Sequence, residues 1–294
     1  MQNVVLRAAR EAEPEETHIV LAMGTNDGSD LEHTVNARWY DAKRTKMHGF
    51  EVGKLALAEA RRKFVSHPEV HVHGTAVTDA DGKSLQISNS GQHTKVLSAV
   101  KGRNTEKSRN TTSSYSVPTV SLHGFVRAQR IAQVTYTLID VEANEATIVR
   151  GMRLDLPENR ATFAIFQYES WNPYENGWTQ WELARWLEQC GYRLYAIGSR
   201  ASSDATAEPV PKHARLDSAA AGAVHRETPV LLRFNSSTYE DSLWCTFSGG
   251  RQRRNSAPPT PTTTSIGSNT LAVAEDAIHA SSWLNAFLAR HALT

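Results

Sequence analysis

The chain has 294 residues, 40% of them hydrophobic and 21% charged, a balance that suits a globular domain with a buried core. Lys and Arg (32) nearly equal Asp and Glu (31), so no net field draws the protein to nucleic acid or an anionic membrane; a small molecule is the expected partner. Two cysteines in apolar contexts, Cys190 and Cys245, exclude a disulfide framework and a Cys-rich zinc site. With no signal-peptide pattern and no apolar run near ~20 residues, the expectation is a cytoplasmic protein without a membrane span.

Residues 1–16 read as a charged helix or arm. THIVLAMG (17–24) is apolar, rich in β-branched residues and ends at glycine, the pattern of a buried parallel strand, and the polar stretch NDGSDLEH follows as a loop. Met47–Val52 forms a short second strand, and 53–65 a helix with apolar positions at Leu55, Ala58 and Phe64. VHVHGTAV (70–77) alternates as a strand and DADG (79–82) turns the chain toward SLQIS. Residues 101–116 have almost nothing to bury and read as a mobile loop.

Strands follow at 134–142 and 161–170, with a helix over NEATIVRGM between them. An amphipathic helix at 178–192 closes at Gly191, and 193–199 is a further strand. Residues 201–227 read as a linker, while PVLLRF and SLWCTFS supply one or two more strands. Residues 249–269 are low in complexity and read as disordered, and a last helix spans roughly 271–292. Strands that alternate with helices and carry near-continuous apolar runs specify an α/β fold, a mostly parallel sheet with helices on both faces. In such a sheet the ligand lies beyond the carboxyl ends of the strands, where the strand order reverses.

The residues just after the strands are therefore the candidates. Gly24-Thr25-Asn26-Asp27-Gly28 ends the first strand, where glycines allow a tight turn and close approach of a ligand. Glu51 ends the second strand 25 residues later, near the spacing at which an acid holds the ribose hydroxyls of a nucleoside. Asp140 and Glu142 alternate with apolar residues in a strand that otherwise reads as buried, a costly placement unless the acids are paired or used. Glu169 ends FAIFQYE. His71 and His73 share a strand face near His67, but no third ligand of suitable spacing accompanies them, so they read as solvated or hydrogen-bonded side chains rather than metal ligands. The tryptophans 171, 178, 181 and 186 read as packing for the 178–192 helix, with Trp171 as a candidate acceptor-pocket wall.

The order of these features resembles the FkbM family of S-adenosylmethionine-dependent methyltransferases. The matching segments are Gly24–Gly28, Phe50-Glu51-Val52, Ala76–Gly82, Val117–Leu122, Ile139–Glu145, Ile148–Gly151, Phe166–Glu169 and Leu187–Leu194. They occur in family order over residues 17–200, and Ile139 to Gly151 is the most specific. The sequence departs from the family at Ala22, where an acid is usual, and at Leu138, Ala143 and His123.

The resemblance implies a Rossmann-like class I methyltransferase fold over residues 17–248, with Ser242–Phe247 as its last, antiparallel strand, a disordered linker at 249–270 and a C-terminal helix at 271–294. It implies S-adenosylmethionine as cofactor and a small molecule or sugar hydroxyl as acceptor. Residues 24–28 would hold the methionine end, Glu51 and Val52 the ribose side, and the turn from Ala76 to Asp79 the adenine side. Asp140, Glu142 or Glu169 would serve as base, or Asp140 or Glu142 would hold a divalent metal; Glu142 has capping of the next helix as its other reading.

Two other readings compete. Gly24-Thr25-Asn26-Asp27 and Asp276-Ala277-Ile278-His279 match blocks of SGNH-type esterases, but only 23 residues precede Gly24, too few for the nucleophilic serine's own strand and turn. A non-catalytic protein that keeps the fold is the second, suggested by Ala22. In the tail, Arg253-Arg254-Asn255-Ser256-Ala257-Pro258 fits a phosphoserine-adaptor site at Ser256. Deletion of residues 249–294 is expected to spare cofactor affinity.

Overall fold

The structure is a computed structural model that describes residues 1–90, 93–97, 114–141, 144–169, 179–200, 228–234 and 265–293. Glu142, Trp171, Trp178, Cys245, Ser256, the linker 201–227 and the segment Ser242–Phe247 lie outside the described residues.

In chain order the first half runs α1 (Gln2–Ala12), β1 (His18–Met23), α2 (Ser29–Val35), β2 (Thr45–Phe50), α3 (Lys54–Lys63), β3 (Val70–His73) and β4 (Ala76–Thr78). Then come β5 (Ser84–Ser90), β6 (His93–Leu97), β7 (Ser114–Ser121), α4 (Leu122–Ala128) and β8 (Tyr136–Ile139). The remainder is α5 (Glu145–Gly151), α6 (Pro157–Thr162), β9 (Ile165–Glu169), α7 (Gln180–Gln189), β10 (Tyr192–Arg200) and β11 (Thr228–Phe234). The last described elements are β12 (Ser265–Ala274), α8 (Glu275–Ala280), α9 (Ser282–His291) and β13 (Ala292–Leu293).

Nine strands form the main sheet in the order β3-β2-β1-β8-β9-β12-β10-β11-β13. β3, β2, β1, β8 and β9 pair in parallel, and β12 runs antiparallel to both β9 and β10. β1 is buried at five of six positions and β9 at four of five, so neither strand has a solvent face. Helices must cover both sides, as expected of a mostly parallel sheet. A second sheet, β4-β7-β5-β6, stands beside it around a small cluster of Ala76, Ile87 and Val117.

Local sequence accounts for the elements that were foreseen. α7 opens with a capping box, in which the Thr179 hydroxyl accepts from the Glu182 N–H and the Glu182 carboxylate accepts from the Thr179 N–H. Leu183, Ala184 and Leu187 then line its buried face, and Gly191 follows at φ 84°.

Several boundaries differ from expectation, each for an identifiable reason. The stretch read as a loop after Gly28 contains α2, whose start is held by Asp27: its carboxylate accepts from the N–H and hydroxyl of Ser29. Residues 70–77 form two strands in different sheets, and 134–142 holds a four-residue strand that stops at Ile139. β7 begins at Ser114, inside the stretch read as mobile. The segment 1–16 is not a free arm, because Val5, Leu6 and Ala9 of α1 are buried in the main core.

The largest correction concerns the C-terminal region. Residues 265–274, read as disordered and then helical, are strand β12, with Leu271, Ala272 and Val273 fully buried between β9 and β10. The reversed strand between β9 and β10 is therefore β12. Deletion of 249–294 would remove β12 from between β9 and β10 and open the middle of the sheet, so cofactor affinity is not expected to survive it.

Candidate active site

The strand order reverses between β1 and β8, and the residues beyond their carboxyl ends meet there. Gly24 has φ 78°, and its N–H and that of Thr25 both donate to the carbonyl of Phe50, at 3.0 and 3.2 Å. A Cβ placed on Gly24 would lie 1.8 Å from the carbonyl oxygen of Asp140, so only glycine lets the two strand ends approach this closely. Thr25 is buried, with its methyl in the space left by Gly49, and its Oγ1 has no hydrogen-bond partner among the described residues. Asn26 holds φ 48° and Gly28 φ 85°, which turns the chain into α2. Asp27 is occupied as a brace: beyond Ser29, it accepts from Lys63 Nζ at 2.9 Å, and this ammonium holds its carboxyl below the usual range.

Glu51 ties that turn to the next helix. One carboxylate oxygen accepts from the Asn26 N–H at 2.8 Å and the other from the Gly53 N–H at 2.6 Å, at the N-terminus of α3. A carboxylate offers about four lone-pair sites, so two remain for a ligand's hydroxyls. Val52 packs on the cluster of Ala76, Ile87 and Val117, and its carbonyl accepts from the Tyr115 hydroxyl at 2.6 Å. Ala76 thus stands beside Val52. Asp79 has a different neighbour: its carboxylate pairs with Arg150 of α5 at 3.2 Å, on the rim of a cavity of about 400 Å³ also lined by Arg153, Asp155 and Trp186.

The acids converge beyond β8 and β9. Asp140 sits one residue past the end of β8, exposed, so the desolvation argument that singled it out does not apply; its N–H donates to the Met23 carbonyl at 3.1 Å. Asp140, Glu145 and Glu169 each present a carboxylate oxygen within 4.8 Å of the others. Glu145, the first residue of α5, is fully buried; one of its oxygens accepts from the Val141 N–H at 3.2 Å. Burial, followed by the neighbouring charges of Glu169 and Asp140, pushes its carboxyl up to about 7.

Glu145 was not among the residues singled out from sequence, although a signal was present. Positions 145, 148, 149 and 152 share one helical face, and Ile148, Val149 and Met152 are all buried, so the helical period places an acid on the apolar face.

A second cluster lies at the β2–β3 end of the sheet. His48 Nδ1 is 3.2 Å from His73 Nε2, and the His48 ring stacks on His71 and His73 with centroids 5.2 and 5.4 Å apart. His48 was the side chain missed beside His71 and His73; the strand register pairs it with His71. His67 stands apart, with Nδ1 3.1 Å from Glu69.

The sequence matches the Methyltransferase FkbM domain over residues 11–194. The chain belongs to the FkbM methyltransferase family. Its sheet, in which β12 is reversed between β9 and β10 and the edge strands β11 and β13 run with β12, is the class I methyltransferase fold that the resemblance implied, extended at one edge. No curated protein matches this FkbM chain in sequence. Among solved structures it is similar to a precorrin-6y C5,15-methyltransferase from Geobacter metallireducens (9% identity, 70% of this chain and 81% of that one, TM-score 0.34). It is also similar to the plantazolicin methyltransferase BpumL in complex with SAH (10% identity, 93% and 82%, TM-score 0.31). A third similarity, to the CurJ carbon methyltransferase (10% identity, TM-score 0.30), covers 56% of this chain and 34% of the other, so the chain spans about a third of that relative's length. Among the described residues of the FkbM chain, no helix is long and apolar enough to cross a membrane.

Proposed function

We propose that this FkbM chain binds S-adenosylmethionine and transfers its methyl group to a hydroxyl of a small molecule or sugar. One observation carries the reading. The Gly24–Gly28 turn, braced by Glu51, packs against the backbone of Asp140 where the strand order reverses, and the Asp140 carboxylate clusters with those of Glu145 and Glu169. The residues fit the cofactor: Gly24 leaves open backbone, Thr25 Oγ1 is a buried hydroxyl still without a partner among the described residues, and Glu51 retains acceptor capacity. Residues 24–28 would hold the methionine end, Glu51 the ribose hydroxyls, and Val52 with Ala76 an apolar wall on the adenine side. Asp79, tied to Arg150, would set the turn that carries Ala76 rather than meet the nucleoside itself.

The bound cofactor supplies an electrophilic methyl on a sulfonium. Methyl transfer from it to an acceptor oxygen would release the thioether, and a carboxylate of this chain would take the acceptor's proton. Asp140, exposed at the strand end, is the group we assign as that base, and Glu169 positions the acceptor beside it.

Two measurements test the reading. Glu51→Ala removes the acceptor for the ribose hydroxyls, at about 1.5–3 kcal/mol for each such hydrogen bond, and is expected to weaken S-adenosylhomocysteine binding at least tenfold by calorimetry. An unchanged dissociation constant would remove Glu51 from the site. Asp140→Asn is expected to lower methyl transfer to a panel of hydroxylated acceptors by about 100-fold, roughly 2.7 kcal/mol, with cofactor binding retained. Retained turnover in that variant moves the base elsewhere.

Ala22 favours a second reading, a non-catalytic protein that keeps the fold: it is buried in β1 opposite Gly49 and Leu138, where the family usually carries an acid. Cofactor binding with no turnover on any acceptor of the panel selects it.

A further inference from the structure

We infer that Asp140, Glu145 and Glu169 form a divalent-cation site that takes a hard ion of the Mg²⁺, Mn²⁺ or Ca²⁺ class. The use of such an ion in methyl transfer rests on the function proposed above; its binding does not.

The spacing of the donors comes first. The three carboxylate oxygens lie within 4.8 Å of one another. Three oxygens spread evenly around one ion stand about 3.5–3.6 Å apart around Mg²⁺ and about 4.0–4.5 Å apart around Ca²⁺. A ceiling of 4.8 Å lies just above the Ca²⁺ range, and small side-chain shifts close the three oxygens on one ion, since Asp140 and Glu169 are not fully buried. An all-carboxylate donor set selects hard cations over zinc or copper, which favour nitrogen and sulfur.

The second observation is independent of the cluster. Glu145 is fully buried, and its Oε2 accepts a hydrogen bond from no donor among the described residues. Leaving such an oxygen unsatisfied costs about 1–3 kcal/mol, and more when it is charged. A proton on one acid can bridge only one pair of the three carboxylates, whereas a cation joins all three. A cation between the three acids supplies what the protein does not. The location gives the ion a use: it lies beyond β8 and β9, where the acceptor hydroxyl would stand, and a bound divalent ion lowers a hydroxyl pKa.

The test uses the full chain, stripped of metal by a chelator and free of cofactor. Mn²⁺ is titrated in and the free ion followed by its electron paramagnetic resonance signal, with a parallel Ca²⁺ titration by calorimetry. We expect one Mn²⁺ per wild-type chain, with affinity at least tenfold weaker in Glu145→Gln and in Glu169→Gln. Thermal unfolding of each variant confirms that it is folded, and Glu169→Gln keeps the test open if the buried Glu145→Gln is not. Neither ion taken up by the wild type, or uptake that the folded variants leave unchanged, overturns the site. S-adenosylhomocysteine is titrated separately into the wild type. Ion uptake without cofactor binding defeats the function proposed above and leaves the cation site standing, and the reverse result defeats the site alone.

Discussion

Gly24→Ala is expected to cost the fold about 3 kcal/mol or more, whereas Gly191→Ala costs about 1–2 kcal/mol. Both glycines have left-handed backbones, at φ 78° and 84°, so both substitutions carry the same conformational penalty for an L side chain. They differ in what the new methyl meets. At Gly191 nothing lies within 4 Å, while at Gly24 the carbonyl oxygen of Asp140 stands 1.8 Å away and its carbon 2.8 Å away. That neighbour is backbone and cannot rotate aside, so β1 and β8 must part at the pairing of Met23 with Ile139. The same movement displaces Asp140, and cofactor affinity should fall with stability. Urea unfolding of both variants measures the difference; equal losses would mean that the close approach of the two strand ends is not what requires glycine at 24.

Acid is expected to destabilise the protein through His48. Burial, then the charges that His73, His71 and Lys46 would present to it, lower its folded pKa to about 4, against an ordinary 6.5. The folded state therefore binds fewer protons than the unfolded chain between those values. The stability from a neutral His48 is complete above pH 6.5 and is lost as pH falls toward 4. The shift corresponds to about 3 kcal/mol across that window. Burial depresses His73 as well, and the two rings share a 3.2 Å contact, so the first proton taken up by the pair opposes the second. Phe50 and Phe125 pack around these rings, which leaves little room for water to solvate an imidazolium. His48→Gln should remove at least half of the difference in urea stability between pH 7 and pH 4. An identical difference in wild type and variant would place the acid sensitivity elsewhere.

The candidate site was legible where the chemistry is local to a strand end. The glycine turn at 24–28 and the acid at Glu51 announce themselves by residue type and spacing, and the structure joins them through the bond from the Asn26 N–H to Glu51. The sequence argument for Asp140 rests on an acid inside a buried strand, yet β8 ends one residue earlier and the side chain is exposed. Glu145 is legible only from the face of the helix it begins, where it shares the apolar side with Ile148, Val149 and Met152.

The fold was legible where apolar period and punctuation agree, as in β1, β9 and α7. It was not legible at Ser265–Ala274. The first half of that segment is polar and the segment before it is rich in Pro and Thr, so local composition argues against a strand. What makes it one is pairing with Ile165–Glu169 and Tyr192–Ser199, about 70 to 110 residues earlier in the chain, a contact that no local window contains.

That insertion has a consequence for biogenesis. As the chain leaves the ribosome, β9 and β10 are complete long before residue 274 is made, and the place between them stays empty until β12 arrives. For the time needed to add those residues, about 4–15 s at ordinary elongation rates, the nascent protein carries two unpaired apolar strand edges. Such edges pair readily with other chains, so this interval is when the protein most needs a chaperone. A premature stop between codons 200 and 265 would make the condition permanent and yield an aggregating product rather than a smaller enzyme.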